Sequence, residues 1–251
     1  MIEIFYPYFE NESTWQELRY SLRSIECHFK FEYRVWLVGD LPAWINPGAI
    51  NFIPHQRIEG IDQNTVYDAI TKHLLFINHP DTGIHYVRMY DDIYLLKDVS
   101  LSDIGRFKAM YSFEQTPART GTWWDQLSNT QTAVRQKGYP GWNCETHMPE
   151  LFNKEKMNWI ISVYQALENR LLTATLYYNT FDPFTQPLRF SKDYAIQFYD
   201  NVENRFYDTS WGDINKKCQG KTFLNHNNKG LSEPLKHFIE SQFPTKSQYE
   251  K

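Results

Sequence analysis

The sequence predicts an α/β fold, with a mixed, mostly parallel sheet flanked by helices and a loop-rich C-terminal part. Segment Tyr33–Gly39 is almost wholly apolar, as expected for a strand buried on both faces of a parallel sheet. Strand-like and helix-like segments alternate over residues 1–113, the pattern of βαβ units. Hydrophobic residues make up 41% of the 251 residues, which is enough for one buried core. We therefore expect a single domain over residues 1–251.

The first unit is a strand, a helix and a second strand. Segment Ile2–Tyr8 alternates and is rich in aromatic and β-branched residues, which is typical of a strand. Asn11, Glu12 and Ser13 offer a helix cap before an amphipathic pattern. That pattern predicts a helix with apolar residues at spacings of three and four, namely Trp15, Leu18, Leu22, Ile25 and Phe29.

The next segments continue the alternation up to residue 113. A short strand is predicted at residues 50–53, and residues 65–76 show helical spacing. Further extended pieces are predicted at residues 85–89, 93–96 and 108–113.

The remaining chain changes character. Residues 114–153 are polar with few apolar periods, so we interpret them as a long functional loop or a lid. Residues 154–172 predict a helix, and a loop-rich stretch then extends to Thr222. A short strand at Phe223 and Leu224 and a helix near residues 232–242 complete the prediction.

Composition excludes several classes of function. The chain has 26 Lys and Arg against 30 Asp and Glu, a formal net charge of −4, which argues against a duplex-DNA or anionic-membrane binder, although a local basic groove remains open. No run approaches the roughly 18 to 20 apolar residues of a membrane span, and the N-terminus does not resemble a signal peptide. We expect a soluble, cytoplasmic protein. Cys27, Cys144 and Cys218 are far apart and predict incidental thiols.

Common catalytic signatures are missing from the sequence. No glycine-rich dinucleotide motif follows a predicted strand. The Gly220-Lys221-Thr222 triplet resembles the end of a phosphate-binding loop, but Asn215 stands where that loop requires glycine. The zincin and nucleophile-elbow motifs are absent as well.

Two adjacent acids, Asp91 and Asp92, lie between apolar strand segments. Carboxylates near a core must be hydrated, paired or bound to a cation. Hard oxygen ligands suit Mg²⁺ or Mn²⁺, which take one or two carboxylates and complete their shell with water and substrate phosphates. The alternative is a turn at a strand end with two solvated acids.

Two histidines are further candidates. Glu145 and His147 would point to the same side of an extended segment, so they could act as a general base and its partner or as metal ligands. The alternative for His147 is a loop histidine that caps the following helix. His226 could complete a metal site or could be an ordinary surface histidine.

Five segments form a pattern when they are taken in order: Glu17 to Glu26, Gly39-Asp40 with Pro42-Ala43-Trp44, Tyr90-Asp91-Asp92, His147 with Pro149, and Phe243 to Glu250. In this order they resemble the Stealth family of sugar-phosphate transferases and, more broadly, GT-A-like glycosyltransferases of bacteria and phages. The resemblance implies a GT-A-like, Rossmann-like fold.

The resemblance also implies roles for individual residues. Asp92 would hold the metal bound to the donor diphosphate, Asp91 would contact the donor sugar or assist the metal, and His226 would be a late metal-binding histidine. His147 matches the mid-chain histidine of the family. Glu145 is the candidate general base of an inverting reaction, from its position in the chain alone. The expected donor-binding residues are Tyr6, Pro7 and Tyr8 near the nucleobase, Asp40 as a base-reading position, and Lys72 and Arg88 near the diphosphate.

The sequence departs from the Stealth pattern at two places. The acidic first region of that family has no counterpart in Ile4 to Tyr8, and Tyr90 stands where the family favours Asn. Both departures favour ordinary glycosyl transfer over sugar-1-phosphate transfer.

We therefore expect a metal-dependent glycosyltransferase that moves a sugar from a UDP- or GDP-linked donor to a hydroxyl of a glycan or other large acceptor. Residues 1–113 would bind the donor, and residues 114–251 would supply acceptor binding and catalysis. Trp123, Trp124 and Trp142 are either an acceptor platform or part of the core, and Asp125 is a secondary candidate base.

Three alternatives remain open: a Stealth-type sugar-1-phosphate transferase, a phage glycosyltransferase acting on DNA bases, and a non-catalytic carbohydrate-binding module. The DNA enzyme would need a basic groove and base flipping, which a net charge of −4 does not favour. The donor, the acceptor, the stereochemistry and the oligomeric state are left undetermined by the sequence.

Overall fold

The computed structural model describes residues 1–57, 65–139, 141–190, 193–199 and 211–251. Its elements in chain order are β1 (Ile2–Tyr8), α1 (Glu17–His28), β2 (Tyr33–Gly39), β3 (Asn51–Pro54), α2 (Thr65–Asn78), β4 (His85–Arg88), β5 (Ile93–Leu95), α3 (Leu101–Ile104), β6 (Lys108–Ala109), β7 (Tyr111–Ser112), α4 (Thr122–Gln136), β8 (Trp142–Asn143), β9 (Glu150–Asn153), α5 (Lys154–Val163), α6 (Thr173–Phe181), β10 (Leu188–Arg189), β11 (Ala195–Phe198), α7 (Trp211–Cys218), β12 (Phe223–His226) and α8 (Glu233–Gln242).

The main sheet has the strand order β3-β2-β1-β4-β9. The first four strands are parallel, and β9 joins the edge antiparallel to β4. Helices α1 and α2 serve as crossovers between parallel strands, as such connections require. The predicted α/β class with a mixed, mostly parallel sheet is confirmed.

Successive residues of β1 face opposite sides of the sheet and enter different cores. Phe5 packs in a cluster with Ile70 and Phe76 of α2, whereas Ile4 packs in a second cluster with Leu18 and Leu22 of α1. Both faces of the sheet are therefore covered by helices, which explains why β2 is apolar along most of its length.

A smaller sheet has the strand order β11-β12-β5. Strands β11 and β12 are parallel, and β12 is antiparallel to β5. β5 follows β4 directly after Asp91 and Asp92, so the chain passes from the carboxyl edge of the main sheet into this smaller sheet. Among the residues that the structure describes, none of the helices has the length and apolar character needed to cross a membrane.

The prediction of a loop or lid over residues 114–153 is wrong for residues 122–136, which form the helix α4. The residues that α4 buries have helical spacing but are mostly polar, including Gln126, Thr130 and Gln131. Thr130 is satisfied inside the core because its hydroxyl donates to the carbonyl of Gln126 at 2.7 Å. Hydrophobic periodicity, the signal on which the prediction relied, is therefore absent from this helix.

The single helix predicted for residues 154–172 is shorter in the structure. α5 ends at Val163, and Gln165 and Arg170 then adopt positive φ angles of 48° and 52°, which end helical geometry. The stretch up to Thr222 contains α6, β11 and α7, so it is less loop-rich than predicted. α6 escaped prediction because nearly all of its residues are buried, which leaves no polar face to mark its period.

The C-terminal segment that follows α8 packs on α1. Arg23 binds Glu250 through two hydrogen bonds, Nε to Oε1 at 2.7 Å and Nη2 to Oε2 at 2.8 Å. Its Nη1 also donates to the carbonyl of Phe243 at 2.9 Å. Two of the segments that resemble the Stealth family, more than 200 residues apart in the chain, are thus in direct contact.

A buried carboxylate supports the edge where β1 begins. Glu3 is 2% exposed and accepts hydrogen bonds from Nε of Arg34 at 2.7 Å, from Nε1 of Trp36 at 2.7 Å and from the backbone N–H of Gly83 at 3.1 Å. Removing this acceptor leaves the buried indole N–H of Trp36 and the partly buried donors of Arg34 and Gly83 without it.

We expect Glu3→Ala to lower the free energy of unfolding by about 2 kcal/mol, because the buried indole N–H of Trp36 loses its acceptor and the partly exposed guanidinium of Arg34 loses its ion-pair partner. Urea denaturation measures this change. The control is Glu233→Ala, which removes an exposed ion pair with Lys236 and should leave the midpoint unchanged. Equal effects of the two substitutions would contradict the role of the Glu3 cluster.

Candidate functional site

A cleft of about 640 Å³ lies at the carboxyl edge of the main sheet. Its size is within the range of ligand pockets, and this edge is where open α/β sheets bind ligands. The residues that line it come from both halves of the chain and are Pro7, Phe9, Glu12, Ser13, Glu17, Arg57, Thr65, Val66, Asp68, Ala69, Ile70, Lys72, Arg88, Tyr90, Asp91, Asp92, Trp123, Glu145, His147, Glu150, Leu171, Leu172, Thr173 and Asn228.

Asp91 and Asp92 occupy a tight turn between β4 and β5. The turn is closed by the N–H of Ile93, which donates to the carbonyl of Tyr90 at 3.2 Å. Ser21 of α1 donates its hydroxyl to the carbonyl of Ile93 at 2.7 Å. Tyr6 hydrogen-bonds to that same hydroxyl at 2.9 Å. A chain of hydroxyl groups from the core therefore fixes the turn that carries both acids.

Asp92 pairs with His147 across the cleft. The imidazole Nε2 lies 2.7 Å from Oδ1 of Asp92, and the ring stacks on Tyr90 with centroids 5.0 Å apart. Burial alone would lower the pKa of His147, but the Asp92 carboxylate outweighs it and raises that pKa. Burial alone would raise the pKa of Asp92, but the His147 imidazole outweighs it and lowers that pKa.

The pKa of Asp91 is shifted in the opposite direction from that of Asp92. Burial, followed by repulsion from the Asp92 carboxylate, raises the pKa of Asp91 to about 8. One of the two adjacent carboxylates resists ionisation, and a bound divalent cation would favour the ionised form of both. Mg²⁺ or Mn²⁺ needs only one or two protein carboxylates. A complete cage is not formed, since the described part of the chain holds no cluster of three or more metal-ligating side chains.

His226 is fully buried at the end of β12, with both ring nitrogens engaged. Its Nε2 lies 3.0 Å from the hydroxyl of Tyr94, and its Nδ1 lies 3.1 Å from the carbonyl of Asn227. Burial lowers the pKa of His226. Both nitrogens therefore have protein partners in this arrangement, and the predicted metal role stays a prediction.

Arg88 forms the buried centre of the cleft floor. Its Nη1 donates to the hydroxyl of Thr173 at 2.9 Å, and its Nη2 pairs with Oε2 of Glu150 and lies 3.8 Å from Oε2 of Glu145. Burial raises the pKa of Glu150 to about 7. The Nε of Arg88 is buried and has no hydrogen-bond partner among the described residues, so this cation is incompletely satisfied without a ligand.

Glu145 holds the start of α6 in place. Its Oε1 accepts from the backbone N–H of Thr175 at 2.9 Å and from the Thr175 hydroxyl at 3.0 Å. The second carboxylate oxygen, Oε2, is the one nearest Arg88. Glu145 thus links the cleft floor to the C-terminal half of the molecule.

A second group of charges lies beside the end of β1. Asp68 accepts from Nζ of Lys72 at 2.8 Å and from Nη2 of Arg57 at 2.7 Å. The guanidinium of Arg57 lies 3.8 Å above the ring of Phe9 and also contacts Glu12. Burial lowers the pKa of Lys72 even though Asp68 stabilises its charge.

The other predicted donor-binding residues are placed differently. Pro7 lines the cleft, but Tyr6 and Tyr8 are buried, and Tyr6 acts on the turn through Ser21. Asp40 accepts the backbone N–H of Glu10 at 2.8 Å and so fixes the loop after β1.

Of the three tryptophans, Trp123 is the one in the described lining of the cleft. Trp123, at the start of α4, lines the cleft and is 38% exposed. Trp124 packs edge-on against it at 4.7 Å and is covered by Arg119, and Trp142 lies in β8.

The cleft therefore brings together eight of the predicted residues: Pro7, Lys72, Arg88, Asp91, Asp92, Trp123, Glu145 and His147. Outside its described lining are Tyr6, Tyr8, Asp40, Trp124, Asp125, Trp142 and His226. All of these roles stay predictions.

The prediction missed Arg57, Asp68 and Glu150 as lining residues. The i, i+4 spacing of Asp68 and Lys72 on a helix was a usable signal for one of them. No local signal marks Arg57 or Glu150, because their place in the cleft depends on contacts between distant segments.

No protein-family model matches the chain, and no curated protein does. Solved structures do match. The galactosyltransferase LgtC in complex with donor and acceptor sugar analogs is 11% identical, with a TM-score of 0.51 over 99% of this chain and 98% of that chain. An active-site mutant of LgtC is 10% identical, with a TM-score of 0.50 over 99% and 98% of the two chains. At this identity the likeness shows a shared GT-A fold, and the Stealth resemblance stays a prediction.

We expect Gly39→Ala to destabilise the protein by more than about 1 kcal/mol. Gly39 has a φ of 127°, and a Cβ there would lie 1.9 Å from the carbonyl oxygen of Tyr8 and 2.9 Å from Cε of Lys72. Thermal unfolding measures the change. The control is Gly138→Ala, which has a φ of 81° but meets no atom within 4 Å, so it reports backbone strain alone. A smaller effect at Gly39 than at Gly138 would contradict this close packing.

Proposed function

We propose that the protein is a metal-dependent glycosyltransferase that transfers a sugar from a nucleotide-sugar donor to a hydroxyl of a glycan acceptor. The observation that carries the proposal is the cleft, where the Asp91–Asp92 turn, the His147 imidazole and the buried cations Lys72 and Arg88 line one space. The GT-A fold, shared with a galactosyltransferase whose structure holds donor and acceptor sugar analogs, supports it.

The donor end of the cleft is assigned to Asp91, Asp92 and Lys72. A divalent cation held by the two carboxylates would neutralise charge on the leaving diphosphate. Lys72 is anchored by Asp68, so its ammonium group presents a fixed positive charge near the end of β1. Fixed charges stabilise developing negative charge without the cost of reorganisation.

His147 is assigned as the general base. An ionised carboxylate only accepts, so Nε2 of His147 donates to Asp92 and leaves the Nδ1 lone pair to take a proton. In the transfer step the acceptor oxygen forms a bond to the anomeric carbon, the bond from that carbon to the diphosphate breaks, and the hydroxyl proton goes to Nδ1. Glu145, whose Oε1 is already bonded twice to Thr175, is assigned to orienting the acceptor side of the cleft.

The acceptor end is assigned to Trp123 and its neighbours. Trp123, Leu171 and Leu172 all line the cleft and supply apolar surface for the C–H face of a sugar. Thr173 and Glu145 add hydrogen-bonding groups to the cleft lining. The acceptor surface therefore comes from residues after 113 and the donor surface from residues before it.

A sugar-1-phosphate transferase is the second candidate. The resemblance of several segments to the Stealth family suggests it, and two of those segments meet where Arg19 and Arg23 contact Glu250. The nucleotide product separates the two candidates, because glycosyl transfer releases a nucleoside diphosphate and sugar-phosphate transfer releases a monophosphate.

We expect Asp92→Asn to abolish the metal-dependent rise in melting temperature that one nucleotide sugar produces on the wild-type protein, since a ligand that binds the folded state stabilises it. Thermal shift against UDP- and GDP-sugars, with and without Mn²⁺, measures this. The control is Asp98→Asn, an exposed acid paired with His28 and Lys30, which should keep the full shift.

Two results would overturn the proposal. One is a shift that Asp92→Asn leaves intact, since the donor site would then be elsewhere. The other is the absence of a shift with every nucleotide sugar, which would favour a carbohydrate-binding module.

We expect Trp123→Ala to raise the KM for the acceptor about three- to tenfold, because stacking on an aromatic ring contributes about 1 kcal/mol. The KM for the donor should not change. Steady-state kinetics with each substrate varied in turn measures both constants. Trp159→Ala, which removes a 49% exposed tryptophan of α5, is the matched control. An unchanged acceptor KM would exclude Trp123 from the acceptor surface.

A further inference from the structure

Two buried amide side chains hold the loop that carries His147. Asn225 of β12 donates from Nδ2 to the carbonyl of His147, and Gln197 of β11 donates from Nε2 to the carbonyl of Thr146 at 2.8 Å. The two carbonyls are consecutive in the chain. Asn225 is completely buried and Gln197 is 3% exposed, and neither is among the described lining residues of the cleft.

The register of the small sheet explains why these amides act together. Gln197 is the parallel partner of Asn225, so their side chains project from the same face of neighbouring strands. On its other side Asn225 pairs antiparallel with Ile93, the residue that follows Asp92. One strand position therefore connects the carboxylate turn to the histidine loop.

His147 needs this support because its backbone is unfavourable. Its φ of 50° lies in the left-handed region, which costs a residue with a side chain roughly 1 kcal/mol or more. The Tyr90 ring fixes the plane of the imidazole, but it does not fix the backbone. The hydrogen bonds from Asn225 and Gln197 are the contacts that do so on the two carbonyls.

We propose that Asn225 and Gln197 are positioning residues that hold the His147 imidazole within hydrogen-bond distance of Asp92. This proposal rests on the proposed function for its catalytic consequence, since a base must lie within hydrogen-bond distance of its proton. The side-chain oxygen of Asn225, Oδ1, has no hydrogen-bond partner among the described residues, so the amide is oriented by the bond from its Nδ2 to the carbonyl of His147.

The test is the imidazole proton shared with Asp92, observed by NMR on protein labelled with ¹⁵N-histidine and containing no substrate. His147→Asn, which tolerates the left-handed backbone, removes this proton, and Asp92→Asn shifts its signal because a neutral amide replaces the charged acceptor; together the two variants assign it. We expect Asn225→Leu, an apolar replacement of similar size, to lose or strongly shift the signal.

The matched control is Asn51→Leu. The Asn51 amide also donates to a backbone carbonyl, that of Val35 at 3.1 Å, but it lies at the start of β3, away from the carboxyl edge of the sheet. The Asn51→Leu protein should keep the His147 signal even if Asn51→Leu and Asn225→Leu lose similar stability. If Asn225→Leu does not fold, Gln197→Met decides by the same measurement.

A folded Asn225→Leu protein with an unchanged His147 signal overturns the proposal, and so does the same signal loss in Asn51→Leu. In the transfer assay we expect kcat of Asn225→Leu to fall about 10- to 100-fold with the donor KM unchanged, because small displacements of a catalytic group have effects of this size. A further result separates the two proposals. If the wild-type protein shows the His147 proton, Asn225→Leu loses it, and the wild-type protein transfers no sugar, the positioning role is supported and the proposed function is contradicted.

Discussion

The hydroxyl of Ser21 is the contact on which the candidate site depends. It joins α1 to the turn that presents Asp91 and Asp92, through a 2.7 Å hydrogen bond to the carbonyl of Ile93. Two adjacent carboxylates repel one another, and burial raises the pKa of Asp91, so contacts that fix the backbone of this turn support an unfavourable arrangement of charge. Tyr6 bonds the same hydroxyl from the core of the sheet and supplies that support.

Helix α1 uses its polar residues to tie together parts of the chain that are distant in sequence. Glu17 accepts from the N–H groups of Thr14 and Trp15 and so shapes the loop before the helix. Ser24 accepts from the N–H of Leu95, and Arg23 binds Glu250. The polar positions of α1 therefore have structural roles as specific as those of its apolar face, and they explain why this stretch and the C-terminal segment meet.

The cleft is a joint product of the two halves of the chain. The first half contributes fixed cations and the acid pair, whereas the second contributes His147, Glu145 and the apolar wall around Trp123. Their relative position is set by two sheets that share the connection through Asp91 and Asp92, with β9 on the edge of the main sheet and β12 against β5. A site of this kind requires the whole domain to be folded.

The sequence by itself determined the elements whose side chains report their surroundings. β1, β2 and α1 were predicted because alternation, a continuous apolar run and helical spacing are local consequences of burial on one or both sides. The adjacent acids after β4 were recognisable for a similar reason, since charge next to buried strands is costly. Lys72 was named as well, and it lies in the cleft.

Only the tertiary structure decided which polar groups face inward and what they bind. α4 buries Gln126 and Thr130 and α6 is buried on nearly every side, so neither shows the periodicity by which helices are recognised. The sequence does not distinguish His226 and Tyr6 from exposed site residues, yet each is fully buried with a hydrogen-bonded partner. Whether a polar side chain meets a ligand or another side chain depends on contacts between segments far apart in the chain, and those contacts exist only once the chain has folded.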